Sequence, residues 1–415
     1  MKTKYQIIII GGGPAGLAAA VAAYDAGAKD VLVLERDERL GGILNQCIHN
    51  GFGLTRFKES LSGPEYAARF IGQAKSRGIE IKTETTVLSL TKEREITAIN
   101  PKDGVFTLRA GAVILAMGCR ERSRGALNIA GTRPAGIYSA GTAQKYINIK
   151  GYLPGKNVVI LGSGDIGLIM ARRLTLEGAK VQAVFELMPY SGGLRRNIVQ
   201  CLEDFNIPLY LSHTITKIEG KERVTGVEVS RVDENKKPIS GTEMHFDCDT
   251  VLFSVGLIPE NELTKSAGIP LSPRTRGALV YQNRETLLGG VFACGNVLQV
   301  HDLVDFVSDE AEIAGRGAAA FVSGDNLPHD TVNVENGNLI NYVLPQKLDK
   351  NLSGGVKLYF RVAKPLKNCK FVLRCSETVV SERKKRVATP GEMETFPISE
   401  EQIKKLNGTV TLEVE

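Results

Sequence analysis

Three glycines near the start of the chain have a spacing, Gly-x-Gly-x-x-Gly, that can bring backbone close to phosphates: Gly11, Gly13 and Gly16. Four isoleucines at 7–10 precede them and an alanine-rich stretch at 17–24 follows. This pattern predicts a strand buried on both faces, a tight turn and a helix. The first glycine permits the turn, the second lets backbone approach a pyrophosphate, and the third lets the helix pack on the strand. Because the helix N-terminus also favours negative charge, these residues predict a dinucleotide site.

An acidic residue stands where the adenosine ribose of a dinucleotide needs a hydrogen-bond acceptor. Glu35 follows Gly16 by nineteen residues and ends the apolar strand predicted over 31–34. A carboxylate at this position accepts hydrogens from ribose hydroxyls. The order of strand, glycines, helix, second strand and acid strengthens the prediction. The predicted contacts of this site are Gly11, Gly13, Pro14, Ala15, Gly16, Glu35 and the neighbouring Arg36.

The same pattern recurs 151 residues downstream. A strand predicted at 157–161 leads into Gly162, Gly164 and Gly167, and Glu186 again follows the third glycine by nineteen residues. The recurrence indicates an internal duplication of a nucleotide-binding unit. Two such units in one chain would hold two nucleotides, and electron transfer between them is the economical reason for having both. The predicted contacts of the second copy are Gly162, Gly164, Asp165, Ile166, Gly167 and Glu186.

The acid of the second copy bears on which nicotinamide cofactor binds. Glu186 favours NAD over NADP because its carboxylate would repel a 2′-phosphate. No basic residue immediately follows Glu186, but Arg195 and Arg196 lie farther along and could reach a phosphate. NAD(H) is therefore the predicted cofactor and NADP(H) the alternative.

Composition excludes several other classes of protein. The chain has 415 residues, 43% apolar and 24% charged, with a net charge of +6, which is typical of a soluble globular protein of two or three domains. No basic stripe with interleaved aromatics indicates a nucleic-acid partner. No stretch has membrane-spanning length, and the early first strand leaves no room for a signal peptide. Seven scattered cysteines without C-x-x-C spacing predict reduced thiols in the cytoplasm and no metal centre.

The remaining elements complete the two units and add a tail. Antiparallel strands are predicted at 80–90 and 104–108, and buried strands that end in glycine at 112–118 and 250–256. A short strand enters the turn 290–296, and a helix rich in small residues is predicted over 303–323. From about residue 326 onward the strands alternate polar and apolar residues, which predicts a small, mostly antiparallel β domain. This tail carries no evident chemistry and is interpreted as a packing or subunit-contact module.

Taken together, these motifs resemble the flavoproteins with two dinucleotide-binding domains, the class that contains thioredoxin and glutathione reductases. The resemblance covers residues 1 to about 325. It implies that the first glycine motif binds FAD and the second a nicotinamide nucleotide. Ala116-Met117-Gly118 resembles the crossover motif A-T-G, with Met in place of Thr. The turn at Gly295 and Asn296 resembles the second FAD motif, in which Asp normally contacts the ribityl chain.

The resemblance implies an α/β fold with two three-layer Rossmann-like domains, the second inserted in the first. The expected limits are 1–118 and 257–325 for the FAD-binding domain, 119–256 for the NAD(P)-binding domain and 326–415 for the β-rich tail. Further candidate contacts implied by the resemblance are Gly42, Cys47, Ala116, Gly118, Gly256, Gly295, Asn296 and Val304. The start of the helix near Val304 offers its dipole to the negative charge of reduced flavin. Asp302 and Asp305 beside it are either helix-starting carboxylates or redox residues.

Two segments resemble a narrower group within this class. Residues 119–122 and 131–144 look like the FAD/NAD-binding subunits of heteromeric amine and opine oxidases, and like oxidoreductases associated with glycerol-3-phosphate dehydrogenase. In such relatives the substrate is often oxidised on a partner subunit. The resemblance therefore implies a partner dehydrogenase subunit, a homo-oligomer, or both.

Three hypotheses of function follow. The leading one is an FAD-dependent NAD(P)H oxidoreductase that passes electrons to or from a partner subunit or a small acceptor. The second is a peroxide or disulfide reductase that uses Cys47 as a single catalytic cysteine, helped by His49. In the competing interpretation, Cys47 and His49 only line the flavin pocket. The third hypothesis is a non-catalytic nucleotide-binding redox sensor or assembly subunit.

Overall fold

The computed structural model describes residues 2–324 and 330–415. Contacts divide the chain into two compact units. The larger unit combines the described residues up to Cys119 with those of Pro259–Glu415, and the smaller unit is Arg120–Ile258. The smaller unit is thus an insertion in the sequence of the larger one. The domain limits predicted at 118/119 and 256/257 lie within two residues of these divisions, and the limit predicted at 325/326 lies outside the described residues.

The first segment of the larger unit alternates strands and helices. Its strands are β1 (Lys4–Ile10), β2 (Val31–Leu34), β3 (Asn50–Phe52), β4 (Leu61–Ser62), β5 (Glu80–Lys82), β6 (Thr86–Leu90), β7 (Glu95–Asn100) and β8 (Gly104–Leu115). Its helices are α1 (Pro14–Asp25) and α2 (Gly63–Ser76). Helix α2 begins with a capping box in which Glu65 accepts the Ser62 backbone N–H at 2.8 Å. This cap satisfies donors that would otherwise be left free at the helix start.

The smaller unit has three layers. Its strands are β9 (Cys119–Glu121), β10 (Ala130–Gly131), β11 (Ile137–Ser139), β12 (Asn157–Leu161), β13 (Lys180–Glu186), β14 (Leu209–Leu211), β15 (His213–Gly220), β16 (Val224–Arg231), β17 (Met244–Asp247), β18 (Thr250–Phe253) and β19 (Leu257–Pro259), the first and last of which straddle the unit boundaries. Its helices are α3 (Ala140–Asn148), α4 (Asp165–Leu176) and α5 (Arg195–Cys201). Parallel strands in the order β11-β18-β12-β13-β14 form the central sheet.

Alternate residues of β12 explain why that sheet is covered on both faces. Val158 and Ile160 pack against the helices, whereas Val159 and Leu161 pack against the antiparallel strands β15–β17. All four side chains are buried. A strand whose two faces are both buried reads as a continuous apolar run, which is the pattern at 157–161.

The larger unit continues after the insertion. Its helices are α6 (Glu262–Ser266), α7 (Val304–Val322) and α8 (Glu400–Lys404), and its strands are β20 (Val291–Ala293), β21 (Thr331–Asn336), β22 (Ile340–Leu344), β23 (Lys347–Asp349), β24 (Val356–Val362), β25 (Leu366–Cys375), β26 (Thr378–Ala388), β27 (Glu394–Ile398) and β28 (Val410–Val414). The tail forms two sheets, β23-β21-β28-β25-β26 and β22-β24-β27. Its pairs are antiparallel except β21 with β28. The contacts group this tail with the larger unit.

The main sheet of the larger unit has the order β5-β2-β1-β8-β7-β6, and β20 also pairs with β8. Helices α1 and α7 pack closely on one face of this sheet. Their backbones approach so closely that a Cβ on Gly315 of α7 would lie 2.3 Å from the Ala19 oxygen of α1. Two details of the predicted strands are wrong. Residues 80–82 pair in parallel with β2, and 104–108 and 112–115 form the single strand β8. Alternation of polar and apolar residues does not encode strand direction, so the parallel pairing of 80–82 could not be read from it.

Candidate functional site

The first glycine turn, between β1 and α1, is closed at its first and third glycines. Gly11 has φ +110°, and a Cβ there would lie 2.4 Å from the Ala116 oxygen. A Cβ on Gly16 would lie 1.8 Å from the Gly11 oxygen. Real side chains do not fit at such distances, so only glycine lets β1, α1 and the end of β8 meet here. Ala116, predicted as a contact, is buried in this wall.

The middle glycine of this turn is open. A Cβ on Gly13 would have Gly42 Cα as its nearest neighbour, at 3.9 Å. The loop that carries Gly42 is fastened to the turn, since the Gly41 N–H donates to the Gly12 oxygen at 2.9 Å. Pro14 is the first residue of α1, where its missing N–H costs nothing. Backbone of the turn is therefore accessible where a pyrophosphate needs it.

Glu35 lies at the end of β2, buried and held by backbone donors. Its Oε2 accepts the Gly12 N–H at 2.6 Å, and its Oε1 accepts the Asp37 N–H at 2.8 Å. A carboxylate has about four acceptor positions, so these two bonds orient Glu35 and leave capacity for ribose hydroxyls. Arg36, by contrast, is exposed.

The second glycine turn, between β12 and α4, repeats this geometry. Gly162 has φ +103°, and a Cβ there would lie 2.0 Å from the Ser254 oxygen. A Cβ on Gly167 would lie 2.5 Å from the Gly162 oxygen, whereas one on Gly164 would meet nothing within 4 Å. Both copies thus combine tight first and third glycines with an open middle one. This agreement between the two turns is what a duplicated phosphate cradle requires.

Glu186 occupies the place of Glu35 in the second copy. Its Oε2 accepts the Ser163 N–H at 2.9 Å and the Ser163 hydroxyl at 2.7 Å, and its Oε1 accepts the Met188 N–H at 2.9 Å. Ser163 was not among the predicted site residues. Its position between Gly162 and Gly164 was the feature of the sequence that could have identified it as a site residue.

Asp165 and Ile166 begin the helix of the second copy. The Asp165 carboxylate accepts the Leu194 N–H at 2.8 Å and the Asn197 side-chain amide at 2.6 Å. Asp165 therefore ties the segment before α5 to the glycine turn. Ile166 is half-buried and packs against the apolar core beneath α4.

The turn after β20 contacts the first glycine turn directly. A Cβ on Gly295 would lie 2.7 Å from Ala15 Cβ, so these two predicted contacts lie side by side. The Asn296 side-chain oxygen accepts the His301 N–H at 3.0 Å, and its nitrogen donates to Cys119 Sγ at 3.5 Å. The amide of Asn296 thus shapes the turn at the predicted ribityl position.

A buried charged cluster supports this turn, and sequence reasoning missed it. Glu310 of α7 accepts the Gly295 N–H at 3.0 Å, the Arg284 Nε–H at 3.2 Å and the Gln299 amide at 2.9 Å. Arg284 and Glu310 are essentially unexposed. His301 Nε2 lies 3.3 Å from Glu310, and burial lowers the pKa of His301, which favours the neutral imidazole.

The two aspartates at the start of α7 hold other segments in place. Asp305 accepts the N–H groups of Gly53, Thr55 and Arg56 at 3.0, 2.8 and 3.2 Å. Asp302 accepts the Met393 N–H at 2.6 Å and pairs with Arg361 of the tail. These contacts give both carboxylates a structural role. Val304, predicted as a flavin contact, is the first residue of α7 and is half-buried.

Cys47 ends the short 3-10 turn Gly42–Gln46 and is half-buried. Its Sγ donates to the Ile43 oxygen at 3.4 Å, and its backbone oxygen accepts the Gly63 N–H at 2.8 Å. Burial raises the pKa of the Cys47 thiol to about 12. A catalytic cysteine needs the opposite shift, because the thiolate is the nucleophile.

Gly118 and Gly256 stand just beyond β8 and β18, one in each unit. Both have positive φ, +73° and +99°, and a Cβ on either would meet nothing within 4 Å. Open backbone beyond a strand's carboxyl end is where α/β sheets bind ligands. Each glycine therefore lies at the edge of the sheet that carries the glycine turn of its own unit.

Two kinds of feature are absent from the part of the chain that the structure describes. None of its helices is both long and apolar enough to cross a membrane. Its histidines, cysteines and carboxylates form no group of three or more that could hold a metal ion. The residues of the larger unit instead fit FAD, because an open glycine, a helix N-terminus and a buried oriented carboxylate meet there. The smaller unit offers a similar set to a second dinucleotide, with the half-buried Glu186 as its carboxylate.

Comparison with known proteins agrees with this geometry. A family model described as pyridine nucleotide-disulphide oxidoreductase matches residues 5–317. An opine oxidase subunit from Agrobacterium tumefaciens is 24% identical over 345 residues, which is 77% of this chain and 66% of that relative. Thioredoxin reductase of Mycolicibacterium smegmatis is 27% identical over 328 residues, 78% of this chain and 96% of the reductase.

The solved structure of T. acidophilum thioredoxin reductase superimposes with a TM-score of 0.63 at 27% identity, covering 78% of this chain and 99% of the reductase. This similarity confirms the predicted fold class, with its two Rossmann-like domains, and the family match confirms FAD and a nicotinamide nucleotide as cofactors. The β-rich tail lies outside the family model, which ends at residue 317. The chain belongs to the pyridine nucleotide-disulphide oxidoreductase family and is an oxidoreductase that uses FAD and a nicotinamide dinucleotide.

Proposed function

We propose that this chain carries a hydride between NAD(H), held at the second glycine turn, and FAD, held at the first, and exchanges electrons with a partner subunit. The observation that carries the proposal is the repeated geometry of the two turns. In each, the middle glycine is open and a buried or half-buried glutamate accepts the turn's own backbone N–H. Two glycine turns suited to dinucleotides in one chain favour electron exchange between two cofactors over the binding of a single cofactor.

The residues of the chain bind and orient, and none of them has to react. When bound, the two cofactors supply the hydride chemistry. Gly13 and Gly164 admit the pyrophosphates, while Glu35 and Glu186 fix the adenosine riboses. The N-terminus of α7 lies next to the turn at Gly295 and offers a positive dipole end to charge on the reduced flavin.

NAD(H) is the proposed nicotinamide cofactor. Glu186 is already oriented by Ser163 and Met188, so its negative charge cannot swing away from a 2′-phosphate without breaking these bonds. Arg195, the nearest candidate along the chain to neutralise such a phosphate, is paired with Glu203 at 2.9 Å. Both observations favour NAD(H) over NADP(H).

A partner dehydrogenase subunit is the proposed source or destination of electrons. The relative from Agrobacterium tumefaciens is named as one subunit of an opine oxidase, and this chain spans about two thirds of it. The chain has no C-x-x-C pair through which it could reduce a disulfide substrate. A glycerol-3-phosphate, amino-acid or opine dehydrogenase would suit this arrangement, with or without homo-oligomer formation.

Purification of the tagged chain from its native host tests the partner. We expect a dehydrogenase to co-purify in fixed ratio, and its substrate to reduce the FAD of this chain in the absence of NADH. If the chain elutes alone and turns over NADH fully with a small acceptor, the partner is not required. None of the seven cysteines forms a disulfide with another, which supports the proposed cytoplasmic location.

The two alternatives have less support. A reductase using Cys47 would need an accessible thiolate, whereas burial raises the pKa of this thiol to about 12. A non-catalytic sensor would need only one firmly bound nucleotide. In both glycine turns, however, the first and third glycines are crowded and the middle glycine is open, so both turns suit a nucleotide. We therefore favour the electron-transfer function over both.

A further inference from the structure

A cavity of about 510 Å³ lies within the smaller unit, apart from its glycine turn. Ser139 and Phe253, the last residues of β11 and β18, line it together with Thr142 of α3. Loop residues between 121 and 134 form its other walls. The volume falls in the range of roughly 300–1,000 Å³ that is usual for small-molecule sites. The cavity is at the carboxyl edge of a parallel sheet, where such folds bind ligands.

Two guanidinium groups line this cavity without an evident counter-ion among the described residues. Arg124 donates from Nη2 to the Ile129 oxygen at 3.4 Å, while its Nη1 is buried and has no hydrogen-bond partner in the part of the chain that the structure describes. Burial, followed by the positive charge of Arg133, lowers the pKa of Arg124. A buried donor without a partner is costly, and the positive charge of the exposed Arg133 adds a repulsion that solvent weakens. An anion bound between the two arginines would supply the missing hydrogen-bond acceptor and reduce the repulsion.

The carboxylate that lines the cavity is hydrogen-bonded to α3 and not to either arginine. Both oxygens of Glu121 accept the Gly141 N–H in the first turn of α3, each at 2.9 Å. Its charge is thus committed to the helix N-terminus. The Ser139 hydroxyl caps the same helix and lies 2.9 Å from the Thr142 hydroxyl. These groups fix the floor of the cavity and leave the guanidinium groups as its strongest donors.

The cavity lies beside the site proposed for the dinucleotide phosphates, because β18, which lines the cavity, is the direct neighbour of β12. The glycine turn follows β12 and Glu186 ends β13, whereas the cavity is built on β11 and β18. The Gly162–Gly167 turn contributes no lining residue to it. A ligand held by the arginines would therefore not need to displace the pyrophosphate.

We propose that this cavity binds a small molecule bearing a carboxylate or phosphate group, gripped by Arg124 and Arg133, with Ile137 and Tyr138 covering its apolar part. This second ligand site of the smaller unit goes beyond the hydride transfer proposed above. Carboxylate and phosphate groups share the paired anionic oxygens that a guanidinium fork binds. The two classes of ligand are distinguished by experiment.

Isothermal titration of the FAD-loaded full chain tests the proposal, with inorganic phosphate and succinate as separate probes. We expect saturable binding of one probe at millimolar concentration or below, and the probe that binds identifies the class. Arg124→Gln and Arg133→Gln should each weaken this binding by about tenfold or more. Arg124→Lys, which keeps the charge but loses the fork, should weaken it less than Arg124→Gln.

Arg231→Gln is the matched control, since Arg231 is exposed in β16 of the same unit, outside the cavity. It should bind the probe as the wild type does. The proposal is overturned if neither probe binds, or if Arg231→Gln weakens binding as much as Arg124→Gln. It is also overturned if NADH competes fully with the probe and Arg124→Gln loses NADH affinity equally, because the cavity would then be the nicotinamide subsite. Flavin reduction by NADH, measured in the wild type, tests the proposed function separately.

Discussion

Glu35 and Glu186 occupy equivalent positions in the two copies and make equivalent hydrogen bonds. Each carboxylate accepts the backbone N–H of the residue after the first glycine, Gly12 or Ser163, and that of a residue two positions beyond itself. The acceptor that we propose for the ribose is therefore oriented before any ligand arrives. Preorganisation of this kind reduces the cost of binding.

Substituting Glu186 tests which nicotinamide cofactor binds. In Glu186→Ser, the repulsion of a 2′-phosphate disappears and one acceptor for the ribose of NADH is lost. We expect the ratio of kcat/KM for NADH over NADPH to fall by roughly tenfold or more. Glu234→Ser, an exposed change in the same unit, should leave the ratio unaltered. An unchanged ratio in Glu186→Ser would remove Glu186 from the cofactor site.

The thiol of Cys47 should be inert at neutral pH. Because burial raises its pKa to about 12, the folded protein favours the protonated form, and the thiolate fraction grows only as the pH approaches that value. We expect alkylation of the Cys47 peptide, followed by mass spectrometry, to stay slow up to about pH 9. Cys47→Ser should turn over NADH like the wild type. Rapid alkylation at neutral pH would instead support the hypothesis of a reductase that uses Cys47.

At the scale of elements, the glycines of each turn have different roles. Gly162 and Gly167 let β12 and α4 meet, whereas Gly164 leaves room for a ligand. Substitutions at these positions should therefore separate folding from binding. The same division holds for Gly11, Gly16 and Gly13 in the larger unit.

Gly164→Ala should block the cofactor and spare the fold. The added methyl meets no protein atom within 4 Å, but it would occupy the approach that we propose for the pyrophosphate. We expect the KM for NADH to rise by about tenfold or more while Tm is unchanged. Gly167→Ala, whose Cβ would lie 2.5 Å from the Gly162 oxygen, should lower Tm. Gly72→Ala, at an open position in α2, controls for a methyl at a site without ligand.

Sequence patterns predicted the elements that local chemistry determines. Both glycine turns, their strands and helix α7 were predicted within a few residues, because burial and turn chemistry act locally. Strands β7, β15 and β17 were missed, since strands with many half-buried or exposed residues have weak apolar patterns. The partners of Asp305, in a loop about 250 positions away, could not be predicted, because such pairing depends on the tertiary fold.

At the scale of the whole chain, the cluster around Glu310 joins the turn at Gly295 to the tail of the larger unit. Glu310 holds Gly295 on one side and Arg284 on the other, and the Arg284 guanidinium lies 5.6 Å from the ring of Tyr359 in β24. Arg361 of the same strand pairs with Asp302 at the start of α7. The tail therefore helps to hold the helix and turn that bound FAD would contact.

Removal of Glu310 should destabilise the larger unit and weaken FAD binding together. Glu310→Ala leaves Arg284 buried without its carboxylate, which costs about 3–5 kcal/mol in comparable sites. Denaturant unfolding and release of FAD fluorescence measure the two effects. Glu312→Ala, which removes a partly exposed partner of Arg56, should cost about 1 kcal/mol or less. Similar losses in both variants would show that the cluster has no special role.

Anaerobic mixing of NADH with the FAD-loaded chain, followed by stopped-flow absorbance, tests the central claim most directly. We predict that the visible flavin band bleaches in a single turnover, with a rate that saturates with NADH concentration. Gly164→Ala should need more NADH to reach the same rate. A flavin that stays oxidised while NADH demonstrably binds would contradict hydride transfer between the two nucleotide sites.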